Sequence, residues 1–213
     1  MTTARASRGR IDKRQAILDA ALTVFARRGY AQACVQEIAD TAAVAKPTVY
    51  NHLTDKENLF REAISAAADT VGAVAETALE PLRAPGADLG AALGETAVLL
   101  LRTCSDERAL ALHRLTYAQA ADFPDLVDTV LRRTTIRLRE TLADRLARLA
   151  LAGRLRHSDP TVAAEQFLAL LSGPLEARTH QGNRAISAAE LQAIAEAATD
   201  TFLRAYLARE ETA

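Results

Sequence analysis

The stretch "VAKPTVYNHLTDKENLF", residues 44–60, crowds Lys46, Pro47, Thr48, Tyr50, Asn51 and His52 into seven positions and adds Lys56 four residues on. The chain has few aromatics to spare, since they make up 4% of it and Trp is absent. A helix that only covers a core has no need of such a run. Val49 and Leu53 stand four apart, so on a helix over 46–53 they share the inward face. Lys46, Thr48, Tyr50, Asn51 and His52 are left to face out. Their chemistry suits a DNA groove. Lys reaches a phosphate or a guanine edge, Thr packs on a thymine methyl or hydrogen-bonds, and Asn bonds adenine. Tyr hydroxyl and His are phosphate partners that fix register. Lys56 opens the next helix, where free backbone N–H groups add to an anion site.

Working outward, "VQEIADTA" at 35–42 reads as a second short helix with Ile38 and Ala39 inward. Only Ala43, Val44 and Ala45 separate it from the next. Before it, residues 11–28 read as a helix with Ile17, Leu18, Ala21, Leu22 and Phe25 on one face, stopped at Gly29 after Arg27 and Arg28. Two short helices across a tight turn form a helix-turn-helix, whose second helix enters the major groove. Downstream, 56–80 reads as a long linking helix ended by Pro81. Helices follow at 89–103 behind Asp88, at 107–121, and from Pro124 to about 150 with a stripe of Leu131, Leu138, Leu142, Leu146 and Leu149. Asp159-Pro160 starts a helix to about 180, with a kink expected at Gly173-Pro174. Ser187 and Glu190 form a capping box for a last helix at 188–209. The expectation is an all-α chain of about nine helices. It has a basic flexible arm at 1–10, a helix-turn-helix domain at 11–55 and a ligand-binding and dimerisation domain at 56–213.

Composition agrees and excludes other classes. The 213 residues are 49% hydrophobic, rich in the helix formers Ala, Leu, Arg, Glu and Gln, and carry a net charge of −1. Residues 1–30 hold seven Lys or Arg against two Asp, so the first 30 residues carry +5 and the remaining 183 carry −6. A basic end on an acidic body suits a partner with a phosphate backbone. "MTTARASRGR" has no apolar core of a secretory signal, and no run approaches a membrane span, so a cytoplasmic protein with no membrane partner is expected. Cys34 and Cys104 form no metal pattern, and Cys34 reads as a small buried hydrophobe. His113, His157 and His180 lack partners at ligand spacing. No catalytic constellation stands out, so neither an enzyme nor a cofactor is expected.

Residues 11–60 resemble the DNA-binding domain of the TetR family of bacterial transcriptional regulators. The likeness lies in "AILDAALTVFARRGY", "VQEIADTAAVAKPTVYNHLTDKENLF" and "REAI", in the family's order and spacing. The stretch "ERALALHRLTYAQAADFPDLVDTVL" at 107–131 resembles the AefR-like subgroup of C-terminal domains. The resemblance implies a homodimer that binds double-stranded operator DNA, most simply as a repressor, and a body that holds a small ligand. It places Gln36, Lys46, Pro47, Thr48, Tyr50, Asn51, His52 and Lys56 at the DNA. This chain departs from the family at Cys34, where Thr or Ser is usual, and at Pro47, where Gly is frequent.

The expected effector is a small, largely apolar molecule among the helices of 89–180. His113, Leu115, Tyr117, Gln119, Phe123, Leu126, Phe167 and Arg178 are the candidate walls and anchors. The apolar stripes of the last two helices put Phe167, Leu170, Leu171, Phe202 and Tyr206 at the expected dimer interface. The competing class is an all-α small-molecule-binding or interaction module that uses no operator.

Overall fold

The structure is a computed structural model that describes residues 2–180 and 182–208, with side chains from Lys13 onward. Ten α-helical segments are present among the described residues: α1 (Thr2–Gln32), α2 (Val35–Thr41), α3 (Lys46–His52), α4 (Lys56–Thr77), α5 (Leu89–Cys104), α6 (Glu107–Ala118), α7 (Pro124–Leu131), α8 (Arg137–Leu151), α9 (Pro160–Thr179) and α10 (Ala188–Tyr206). A π-helical turn, Arg132–Ile136, joins α7 to α8. The two therefore make one run, and the described residues hold nine α-helical runs, as the sequence predicts. No strand occurs among the described residues.

Four details differ from the sequence expectation. α1 begins at Thr2, so residues expected as a flexible arm continue the helix. Ala4, Arg5, Ala6, Arg8 and Arg10 are strong helix formers with no Pro among them. α10 ends at Tyr206, and residue 209 lies outside the described residues. α9 runs unbroken through Pro174, which takes one backbone donor from the helix without ending it. Finally, the apolar stripe expected over 131–149 is interrupted. The π turn inserts an extra residue, leaving Leu131 37% exposed while Leu142, Leu146 and Leu149 are buried.

The chain forms two compact units. The first comprises residues through Thr70 together with Glu107–Arg133. It is thus larger than residues 11–55, since it takes in the start of α4 and all of α6 and α7. Ile17, Leu18, Ala21, Leu22 and Phe25 of α1 are buried, with Leu59, Phe60 and Ile64 of α4. Phe25 and Phe60 meet edge to face at 5.0 Å. Arg108 of α6 pairs with Asp19 of α1 at 2.8 Å, and Arg133 reaches Asp69 of α4 at 2.7 Å. These partly exposed pairs set alignment more than stability.

The second unit holds Val71–Asp106 and the chain from Thr134 onward. α5 packs on α10, and α9 packs on both α8 and α10. Leu93, Ala97, Leu142, Leu146, Phe167, Leu171, Ile194 and Phe202 lie in one apolar core. Phe167 and Phe202 meet edge to face at 5.0 Å, and Phe202 stacks on Tyr206 at 4.6 Å. The Tyr206 hydroxyl donates to Gln166 at 2.6 Å. Phe167, Leu171, Phe202 and Tyr206 are therefore interior residues of one chain, and only Leu170 of the expected dimer set is half-exposed. An apolar stripe marks the face a helix buries, and here that face is spent on the chain's own core.

The start signals act as expected. The Asp88 carboxylate accepts from the N–H of Ala91 at 2.9 Å, and that of Asp159 from Thr161 at 2.8 Å. Ser187 and Glu190 close a reciprocal box: the Glu190 N–H donates to Ser187 Oγ at 3.3 Å, and the Ser187 N–H to Glu190 Oε2 at 3.0 Å. The backbone bond from Ser187, then its hydroxyl and Arg184, lower the Glu190 carboxyl from 4.5 to about 2. A lowered folded-state value stabilises the fold above the unfolded value, and the benefit fades as pH falls through the folded one. The stability margin of the protein over Glu190→Gln is thus expected to be full above pH 4.5 and to shrink toward pH 2, read from urea midpoints across that range.

Candidate nucleic-acid interface

The interface rests on α2, α3 and the turn between them. α2 begins at Cys34, which has the extended backbone of an N-cap but offers no side-chain bond. Sulfur accepts hydrogen bonds weakly, so the first N–H groups of α2 lack the oxygen that Ser or Thr supplies there. Glu37 stands three residues on, where a capping box has its acid, but it pairs with Arg27 and Arg28 instead. Partial burial works against the charge on Glu37, yet hydrogen bonds from the two arginines outweigh it and hold its carboxyl below the usual range. Contrary to the sequence reading, Cys34 is exposed. The N-cap position itself, which turns the side chain away from the helix, accounts for this.

α2 ends in a left-handed turn. The N–H of Ala43 bonds the carbonyl of Asp40 at 3.1 Å, and that of Val44 bonds Ala39 at 3.0 Å. This is the two-bond pattern that closes a helix through one residue of positive φ, normally Gly. α8 closes the same way on Gly153, φ 69°, whereas α2 uses Ala43, φ 53°. A side chain in that region costs roughly 1–2 kcal/mol.

α3 then turns two residues inward. Val49 is 1% and Leu53 2% exposed, each burial stabilising by about 1.5–3 kcal/mol. Lys46, Pro47, Tyr50 and Asn51 are exposed, Tyr50 by 45%, and Thr48 and His52 are half-buried. Seven residues make a rod roughly 10 Å long, and the roughly 10–12 Å diameter of a helix with its side chains fits the roughly 12 Å width of a major groove. Gln36 is exposed on α2, its amide donating to Asp40 at 2.8 Å. Asp55 caps α4 by accepting from the N–H of Asn58 at 2.7 Å.

Lys56, at the head of α4, is held from two sides. Its Nζ donates to the carbonyl of Ala31 at 3.0 Å and lies 5.0 Å from the centre of the Tyr30 ring. Burial raises the Tyr30 phenol, and Glu57 and Asp55 add to this, so the ring stays neutral and protonated at neutral pH. One donor of the Lys56 ammonium is thus engaged by the protein and two remain. This clamp has no periodic signature in the sequence.

The candidate effector residues divide between the units. His113, Leu115, Tyr117, Gln119, Phe123 and Leu126 belong to the first, and Phe167 and Arg178 to the second. His113 and Tyr117 are exposed neighbours on α6, their rings 4.5 Å apart. Leu115, Phe123 and Leu126 are core. Gln119 donates to the carbonyl of Ala118, and Arg178, exposed, to that of Glu190. Sequence reading passed over Thr96 and Thr199, whose buried hydroxyls in the second unit have no hydrogen-bond partner among the described residues. A buried Thr looks like a small apolar residue in a helical pattern, so nothing marked them.

A short helix with polar and basic groups outward, set across a tight turn from a second and fastened by Val49 and Leu53, defines a helix-turn-helix DNA-binding protein. The particular family follows from comparison, and the chain belongs to the TetR family of bacterial transcriptional regulators. Residues 17–63 match the family described as bacterial regulatory proteins, tetR family, and residues 91–208 the AefR-like transcriptional repressor, C-terminal domain. The structure is similar to that of a TetR-family regulator from Mesorhizobium loti, 31% identical, covering 93% of this chain and 98% of that one with a TM-score of 0.85. It is also similar to the flavonoid-responsive regulator FrrA, 27% identical over 93% and 98% of the two chains, with a TM-score of 0.72. The HTH-type transcriptional regulator YvkB of Bacillus subtilis is 23% identical over 171 residues, 80% of this chain and 85% of that one.

Both ends of α2 are open to improvement. Ala43→Gly relieves the left-handed strain but costs roughly 0.5–1 kcal/mol of backbone entropy, so a net gain of about 0.5–1 kcal/mol is expected. Melting temperature should rise by roughly 1–4 °C in calorimetry. Cys34→Ser supplies the missing cap opposite Glu37 and should add about 1 kcal/mol by the same measurement.

Proposed function

We propose that this regulator binds a near-palindromic operator as a homodimer, with α3 of each protomer in the major groove, and that a small, largely apolar effector releases it. The observation that carries the reading is the division of α3 between Val49 and Leu53 inside and Lys46, Pro47, Tyr50 and Asn51 outside. Gln36, Thr48, His52 and Lys56 complete the proposed contact set. One such helix reads few base pairs, so tight specificity calls for two. The outward faces of α9 and α10 support the dimer, since Ala169 and Gly173 on one and Ala189, Ala193 and Ala197 on the other are exposed small residues that permit close approach. Arginine at Ala193 should therefore give monomers in sedimentation, which charge at core residues such as Phe202 would not report cleanly.

For the effector, the supporting feature is an apolar core in the second unit that carries two unpartnered hydroxyls, Thr96 and Thr199. Apolar walls with a few polar groups are the usual make-up of a small-molecule site. The flavonoid response of FrrA supports the same ligand class. No helix among the described residues is long and apolar enough to cross a membrane, in keeping with a cytoplasmic protein.

The test is fluorescence polarisation of the full chain against duplexes recovered by selection from random DNA. Asn51→Ala is expected to cost about 1–3 kcal/mol on the selected duplex and to relax preference at one base position. A compound that weakens affinity for the duplex should itself bind the duplex-bound protein more weakly by the same factor, because binding energy between two sites is reciprocal. Selection that enriches no duplex would instead favour a ligand-binding module without an operator.

A further inference from the structure

Phe123 belongs to the linkage behind the DNA-facing surface, far from that surface in sequence. It precedes Pro124, which disfavours the helical region for its backbone, and it stands at the N-cap of α7 with φ −132°, ψ 62°. Its side chain is buried. The ring meets Tyr30 edge to face at 5.2 Å and Phe60 at 5.3 Å. The Arg61 guanidinium lies 4.9 Å from its centre and is itself tied to Asp125 and, at 3.0 Å, to Glu57. Tyr30 in turn meets Phe60 at 4.9 Å. The same Tyr30 ring carries the Lys56 ammonium at 5.0 Å, with the carbonyl of the next residue, Ala31, as its hydrogen-bond partner. Tyr30 and Ala31 follow Gly29, whose φ of 74° and ψ of 162° break α1. The turn that holds Lys56 is thus not continuous with a regular helix, and its side chains must fix it.

We propose that Phe123 is a positioning residue for DNA binding: by seating Tyr30, it holds the Lys56 ammonium where a backbone phosphate meets it. The inference rests on the operator-binding reading above. Packed rings have few ways to rearrange, so a correctly placed Tyr30 leaves Lys56 one favoured site between ring and carbonyl. Without the Phe123 ring, Tyr30 is free to tilt into the vacated space, and the ammonium loses its seat.

The test is the dependence of affinity on salt, since each lost phosphate contact lowers the slope of log K against log salt by about 0.9. The full chain, the selected duplex and a random-sequence duplex are used. Lys56→Met should flatten the slope by that amount and weaken both duplexes about tenfold near 0.1 M salt. Phe123→Leu should flatten the slope in the same way and reproduce most of the loss. The double variant should bind no more weakly than Lys56→Met alone. Leu112→Ala, a buried change on α6 of the same unit and outside the ring cluster, should lower the melting temperature yet leave the slope intact. Should Phe123→Leu fail to fold by circular dichroism, Tyr30→Leu takes its place with the same expectations. A wild-type slope in the ring variant, or losses that multiply in the double variant, overturns the proposal. So does an unchanged slope in Lys56→Met while the parent protein binds DNA, and in that case the operator reading stands. A parent protein that binds no duplex removes the operator reading itself.

Discussion

A seven-residue helix does not persist in water, because nucleation costs more than so few hydrogen bonds return. α3 exists because Val49 and Leu53 are buried against the rest of its unit. The proposed DNA-facing surface of α3 depends on that anchorage. Two inward positions fix the rotation of the helix about its axis, and the rotation decides that Lys46, Pro47, Tyr50 and Asn51 face solvent. A reading surface made this way is as rigid as its core. The aromatic cluster of Phe25, Tyr30, Phe60 and Phe123 draws α1, α4 and the start of α7 into that core.

Against this firm background α2 is built economically. Its first turn has no capping oxygen, and its last turn places a methyl group where Gly is usual. Each departure costs on the order of 1 kcal/mol, a sizeable share of the 5–15 kcal/mol that separates folded from unfolded chains. Ile38 and Ala39, both fully buried, keep the helix in place nonetheless. Local propensity yields to tertiary packing here, as it does at Pro174, which α9 carries without breaking.

The parts of the fold legible in the sequence were those with a local cause. Asp88, Asp159-Pro160 and Ser187 with Glu190 announce helix starts by chemistry within three residues, and each acts as read. The inward pair Val49 and Leu53 was legible because a helical period is a short-range signal. The rest depends on partners distant in sequence. Periodicity says that Phe167, Leu171 and Phe202 are buried but not by what, and in the structure they pack on one another within the chain. Nothing near Phe123 in sequence shows that Tyr30 and Phe60 surround it. The Lys56 clamp, between a ring and a carbonyl 25 residues upstream, is of the same kind.

The π turn between α7 and α8 has a consequence for how this chain can change. The helical run from Pro124 to Leu151 serves two cores, with Leu126 in one and Leu142, Leu146 and Leu149 in the other. An uninterrupted α-helix would force one angular phase on both, and a shift in either would rotate the side chains of the other. The extra residue in Arg132–Ile136 shifts the helical phase of the apolar positions that follow it. Each half of the run can therefore drift in sequence while keeping its own apolar positions in step.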